Sequence, residues 1–191
     1  MISKNWFLVL MIVVSFTGLL FGDEEKEVLK VGDQAPDIVL NNQDGELWRL
    51  KDFLGKKNIV IYFYPAAMTG GCTKQACSYR DSKSELEKKD LVVVGVSGDA
   101  VKNLKIFQQE NQLNFNLLSD VSGEVARTYG VPVGEGGSIV RKVGEQEISL
   151  QRSYSISRWT FIVDKEGKIT YKDMDVDAVE DSKNVLDFFK P

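Results

Sequence analysis

One stretch restricts the possible folds more than any other, the run from Asn58 to about Lys89. Asn58–Tyr64 is apolar and rich in β-branched residues, and it reads as a buried strand. Pro65 and the Gly70-Gly71 pair then break the chain into a loop. From Cys72 to about Lys89 good helix formers predominate, so the loop is expected to feed a long helix. Both cysteines of the chain lie here, Cys72 where the loop enters the first helical turn and Cys77 further along. A thiol at a helix start faces unpaired backbone N–H groups and the positive end of the helix dipole, and both favour thiolate. That is a place for a nucleophile.

The flanking sequence supplies a sheet for this unit. Asp37–Leu40 and Glu46–Leu50 bracket the turn cluster 41–45 and are expected to form a hairpin. Leu91–Ser97 is a continuous apolar run of the kind buried on both faces in parallel sheets. A helix is expected over Asn103–Asn111, a short strand over Phe115–Leu118 and a serine-capped helix over Ser122–Tyr129. Val131–Ser138 reads as an irregular glycine-rich stretch, followed by polar alternating segments up to Ser157. Trp159–Asp164 and Lys168–Lys172 form a second hairpin, and an amphipathic helix runs from Ala178 to Phe189. Strands alternating with helices indicate an α/β fold with a central mixed β-sheet flanked by helices. A strand, a loop-borne cysteine and a long helix is the thioredoxin-like arrangement, here with an N-terminal β-hairpin extension.

Composition removes several chemistries. There is no histidine in the 191 residues, which excludes Cys-His and Ser-His-Asp machinery and most zinc or copper sites. No metal and no cofactor is expected. The balance of 24 basic and 28 acidic residues, without a long basic run, argues against a nucleic-acid partner. At the N-terminus Lys4 precedes the apolar run Trp6–Phe21, which Asp23-Glu24-Glu25 ends abruptly. That run is short for a membrane span of about 20 residues and suits the core of a signal peptide. Gly22 provides the small residue before a cleavage site, whereas Leu20 matches poorly, so an uncleaved membrane anchor is the alternative. Residues 1–22 are therefore read as signal peptide or anchor, 23–30 as a charged linker and 31–191 as one domain of an exported protein.

A free thiol with a pKa of about 8.5 is only roughly 3% thiolate at pH 7. Bringing such a pKa to about 6 takes roughly 3.4 kcal/mol, whereas a helix N-terminus contributes about 0.3–1 and rarely about 2. A cation beside the sulfur is required, and without histidine an arginine supplies it best. Pro65, Thr69 and Cys72 match the Pro, three residues, Thr, two residues, Cys pattern of the peroxiredoxin active-site loop. The continuation from Gly71 through Cys77 to Asp81 resembles the bacterioferritin comigratory protein/PrxQ branch, in which a resolving cysteine lies five residues after the peroxidatic one. Arg158, two residues before Thr160-Phe161-Ile162-Val163-Asp164, is similar to that branch's arginine-bearing strand. The resemblance extends from about Val31 to the C-terminus. Ala66-Ala67-Met68 depart from it by making the pocket rim apolar, and the connection 133–157 has no ready counterpart.

The resemblance implies a thiol-dependent peroxidase acting on hydrogen peroxide and organic hydroperoxides. Cys72 would attack the peroxide, Arg158 would hold the thiolate, Thr69 would hydrogen-bond the peroxide and Pro65 would shield the sulfur. Cys77 would then form an intramolecular disulfide that a thioredoxin-like dithiol protein reduces, and the protein would act as a monomer. Spacing alone leaves a structural disulfide open. An exported thiol–disulfide oxidoreductase and a non-enzymatic binding module on the same fold are the other readings. Arg80 and Arg152 are read as surface or helix-pairing residues, and Trp48 and Trp159 as core.

Overall fold

The computed structural model describes residues 29–190. The expected leader, residues 1–22, and most of the linker lie outside the described residues. In chain order the strands are β1 (Val39–Asn42), β2 (Leu47–Arg49), β3 (Asn58–Phe63), β4 (Leu91–Ser97), β5 (Asn116–Ser119), β6 (Val133–Val143), β7 (Gln146–Ile156), β8 (Trp159–Val163) and β9 (Ile169–Asp173). The α-helices are α1 (Gly70–Asp81), α2 (Lys83–Lys88), α3 (Val101–Glu110), α4 (Glu124–Thr128) and α5 (Asp181–Phe188).

Seven strands form one mixed sheet in the order β2-β1-β5-β4-β3-β8-β9. The β3–β4 and β4–β5 pairs are parallel, and β3 pairs β8 antiparallel. The first hairpin continues the sheet beyond β5 rather than standing apart from it. Side chains along β3 alternate between two cores. Val60 and Tyr62 pack with Ala76, Tyr79, Leu104, Phe107 and Val185, whereas Ile59, Ile61 and Phe63 pack with Ala126, Tyr129 and Phe161. Each such burial contributes about 1.5–3 kcal/mol. A one-residue slip would exchange the two sets, so the register is strongly specified. Gly95 is required by its neighbour: in register with Tyr62, a Cβ at this position would lie 2.6 Å from the Tyr62 ring.

Three elements differ from expectation. The helix expected through Lys89 breaks at Ser82, because Asn114 donates an amide hydrogen bond to the Arg80 carbonyl at 3.2 Å, capping it from 34 residues away. Ser122 does not occupy the N-cap of α4. Gly123 does, at φ 68°, while the Ser122 hydroxyl accepts the Glu124 N–H at 3.2 Å. The largest difference is the connection before β8. Residues read as irregular form β6, which pairs β7 in a separate two-stranded antiparallel sheet of 11 residues per strand. Its glycines lower strand propensity, but at Gly136 a side chain would collide with the β7 backbone at Arg152 and Ser153. Close strand approach, not flexibility, explains that glycine.

Candidate active site

The sheet register builds the site. Phe63, at the end of β3, pairs with Trp159 of β8, so Arg158 lies beside the point where the chain leaves the sheet. Pro65 is half-buried at that exit, and Thr69 stands at the N-cap of α1 with extended backbone. The first α-helical bond here runs from the Thr73 N–H to the Thr69 carbonyl at 2.8 Å. The N–H groups of Gly70, Gly71 and Cys72 therefore lack intrahelical carbonyl partners, as at any helix start.

Cys72 is only 2% exposed, in a cluster with Tyr62, Tyr64, Ala67 and Ala76. The Arg158 guanidinium donates to its sulfur, Nη2 to Sγ, at 3.4 Å. Burial pushes the phenols of Tyr62, Tyr64 and Tyr79 well above their ordinary value, so they remain protonated around the thiol. Both cysteines are free, with Cys77 half-buried within the same intact helix. A structural disulfide is thus absent from this state. The Thr69 hydroxyl donates to the Ala66 carbonyl at 2.9 Å. Its proton is committed, so toward a peroxide it can act as an acceptor.

Several residues of the site carry no signal of their own in the sequence. Gln75 is buried, accepting a hydrogen bond from Arg158 Nη1 and donating to Asp181 Oδ2 at 2.6 Å. The same Asp181 oxygen accepts from Tyr79 at 2.8 Å and Thr160 at 2.9 Å. Burial raises the Asp181 carboxyl, and these three donors act in the opposite direction. The carboxyl thereby ties α1 to α5. Behind the loop, Asp99 accepts the Ala67 N–H at 2.8 Å and the Ser97 hydroxyl at 3.1 Å.

Arg152 corrects the reading of it as a surface or helix-pairing residue. Its side chain is 7% exposed and paired with the wholly buried Asp99 at 3.2 Å. Truncating it leaves a buried carboxylate unpaired. Arg152→Ala is therefore expected to lower stability by about 3–5 kcal/mol, measured by chemical unfolding. A loss below about 1 kcal/mol would mean that Asp99 finds another partner. Arg80 fits its reading only in part: it is partly buried, pairs with its neighbour Asp81 at 2.8 Å and donates to the Asn111 carbonyl past the end of α3 at 2.6 Å, a tertiary tie and not a helix-face pair. Trp48 is buried and stacks on Phe53, with ring centroids 5.1 Å apart. Trp159 is partly buried beneath the Lys172 ammonium, 4.7 Å from its ring centroid.

A buried thiol at a helix start, faced by a guanidinium and carried on a thioredoxin-like sheet, defines a thiol-dependent oxidoreductase. The model of the AhpC/TSA family matches residues 31–172. The chain is 45% identical over 141 residues to a putative peroxiredoxin bcp of Haemophilus influenzae, covering 74% of this chain and 83% of that protein. It is also similar to the crystal structure of peroxidoxin BcpB from Mycobacterium tuberculosis, with a TM-score of 0.68 and 30% identity over 85% of this chain and 99% of that one. A structure of the Xanthomonas campestris bacterioferritin comigratory protein gives a TM-score of 0.67 at 25% identity, over 84% and 95% of the two chains. The chain belongs to the AhpC/TSA family, as a peroxiredoxin of the bacterioferritin comigratory protein/PrxQ type. It is a thiol-dependent peroxidase that uses peroxide and a thioredoxin-like reductant. A plain disulfide oxidoreductase and a binding module are not favoured.

Proposed function

We propose that Cys72 is the peroxidatic thiol, and the observation that carries this reading is the Arg158 donor 3.4 Å from its buried sulfur. The thiolate attacks one peroxide oxygen in line with the O–O bond. Sulfur gains that oxygen as sulfenic acid, and the second oxygen leaves as alkoxide or hydroxide and is protonated. Arg158 stabilises charge on sulfur before attack and on the oxygens as their bond breaks. Thr69 accepts from the peroxide O–H, the free N–H groups at Gly71 and Cys72 add donors, and Pro65 limits water at the sulfur. The Cys77 thiol then displaces water from the sulfenic acid to give a disulfide, and a thioredoxin-like dithiol reduces it by exchange. Hydrogen peroxide and organic hydroperoxides both fit. Alkyl peroxide reduction activity is ascribed to the Xanthomonas campestris protein. Of the segment expected to line an apolar rim, Ala66 and Ala67 are buried, and only the half-buried Met68 is placed to meet an alkyl group. Peroxide consumption by the purified protein, with thioredoxin present and absent, tests the reading. Turnover that does not depend on a dithiol would contradict it.

Disulfide formation demands motion. Positions five apart on an ideal helix have Cα atoms roughly 8.6 Å apart, beyond the limit of about 6.8 Å for a disulfide. The start of α1 must therefore unwind, breaking the Gln75 and Tyr79 bonds to Asp181. Amide exchange over residues 72–80 is expected to accelerate on oxidation while β4 stays protected. Gly70→Ala tests the same motion. A Cβ there meets nothing within 4 Å, whereas at Gly71 it would touch Arg158. Stiffening the helix start by about 1 kcal/mol should slow disulfide formation about five-fold and raise the sulfinic acid yield at a given peroxide dose. Equal sulfinic yields in Gly70→Ala and parent would mean that unwinding does not limit resolution.

Export rests on the apolar run Trp6–Phe21 behind Lys4. The chain is read as a monomer, released after cleavage near Gly22 or held at a membrane by the uncleaved segment. Among the described residues no helix is long and apolar enough to span a bilayer, so any anchoring depends on that segment. Recovery of the full-length chain in the soluble cytoplasmic fraction of its host would overturn the export reading.

A further inference from the structure

We propose that Arg141, near the tip of the β6–β7 hairpin, is a positioning residue that holds the peroxidatic loop in its reactive shape. The inference rests on Cys72 being the nucleophile. The hairpin is the segment for which the mechanism has no use, and it is firmly docked. Leu150 on β7 is wholly buried, Arg152 pairs with Asp99, and the Asn103 amide donates to the Gln151 carbonyl at 2.8 Å. From that base the strands run out so that Arg141 Nε donates to the Met68 carbonyl at 2.8 Å, while its Nη1 donates to the Val140 carbonyl at 2.9 Å.

Met68 is where the loop needs holding. Its φ of 62° is one that residues with a Cβ seldom adopt. Bonds before and after it hold the loop: the Asp99 carboxylate accepts the N–H of the preceding residue, Ala67, and Arg141 Nε donates to the Met68 carbonyl. Because the peptide unit is planar, fixing that carbonyl also fixes the nitrogen and Cα of Thr69. Thr69 then supplies the acceptor hydroxyl and stands, without a side-chain capping bond, at the N-cap position of the helix on which Cys72 is the third residue. The Arg141 guanidinium hydrogen-bonds backbone carbonyls, those of Met68 and Val140, and not the Cys72 sulfur. It acts through the Met68–Thr69 peptide, so its loss should populate loop shapes in which Thr69 is misplaced.

The test measures Cys72 oxidation in a single turnover with hydrogen peroxide, read by mass spectrometry after alkylating the remaining thiol. Arg141→Ala is expected to oxidise about ten-fold more slowly than parent, with an unchanged thermal midpoint, because the side chain is only half-buried at a hairpin tip. Arg141→Lys, which still offers a donor to the Met68 carbonyl, should recover most of the rate. In a Thr69→Val background Arg141→Ala should add little, because both changes act on one element. The inference is overturned if Arg141→Ala oxidises at the parental rate. It is equally overturned if the loss comes with a lower midpoint, is not rescued by lysine, or adds fully to that of Thr69→Val. A parent protein whose Cys72 resists peroxide would instead refute the assignment of the nucleophile.

Discussion

Cys72→Ser is expected to abolish peroxide reduction, and Cys77→Ser to consume one equivalent of peroxide and then stall. The two thiols differ in position rather than in kind. Cys72 lies in the first turn of α1, 2% exposed, with the Arg158 guanidinium at 3.4 Å. Cys77 is half-buried, more than a turn further along the same helix. A serine hydroxyl at position 72 would have no base to remove its proton, because the chain has no histidine. The expected loss is therefore at least about 10⁴-fold, well beyond that of any supporting residue. In Cys77→Ser the first step is intact and the sulfenic acid has no internal thiol to condense with. Stopped-flow peroxide consumption over several equivalents separates the two variants. Sustained parental turnover by Cys77→Ser with thioredoxin would remove Cys77 as the required resolving thiol.

Arg158→Ala is expected to slow peroxide attack by about 10²–10³-fold, the usual cost of deleting a donor aimed at developing charge in a buried site. The guanidinium contributes twice, donating to Cys72 Sγ through Nη2 and to Gln75 Oε1 through Nη1. Alanine removes the cation from the sulfur and leaves the Gln75 carbonyl oxygen without that partner. Lysine restores charge but not the planar fork that reaches two acceptors in fixed directions, so Arg158→Lys should recover only part of the rate. The second-order rate constant for Cys72 oxidation decides the matter. A change of less than about three-fold would show that another group activates the thiol.

The parts of this site that were legible in the sequence are those built from contiguous chain. The apolar runs of β3 and β4, the Pro65–Gly71 break and the helix that follows all sit in local patterns, and those patterns place Cys72 without any distant partner. Arg158 was legible through its motif alone, since one arginine ahead of a strand resembles many others until the pairing of Phe63 with Trp159 brings it to the sulfur. Gln75 and Asp181 are different. They are 106 residues apart, and a buried carboxyl shared by Gln75, Tyr79 and Thr160 leaves no periodic signature. Arg152 misled for the same reason, because charged residues are normally exposed and its partner Asp99 is 53 positions away. The break after Asp81 goes with a distant partner, the Asn114 amide, whereas the β6–β7 hairpin escaped because its glycines read as loop although Gly136 is there to let the neighbouring strand approach closely.

The mechanism turns on Cys72 Sγ being the first atom oxidised. Its most direct test is mass spectrometry of the pre-reduced Cys77→Ser protein, treated with one equivalent of hydrogen peroxide and a sulfenic-acid-trapping dione. A single adduct on Cys72 is expected, and in the parent protein a Cys72–Cys77 disulfide in place of the adduct. A parent protein in which the trap labels Cys77 while Cys72 stays a free thiol would contradict it.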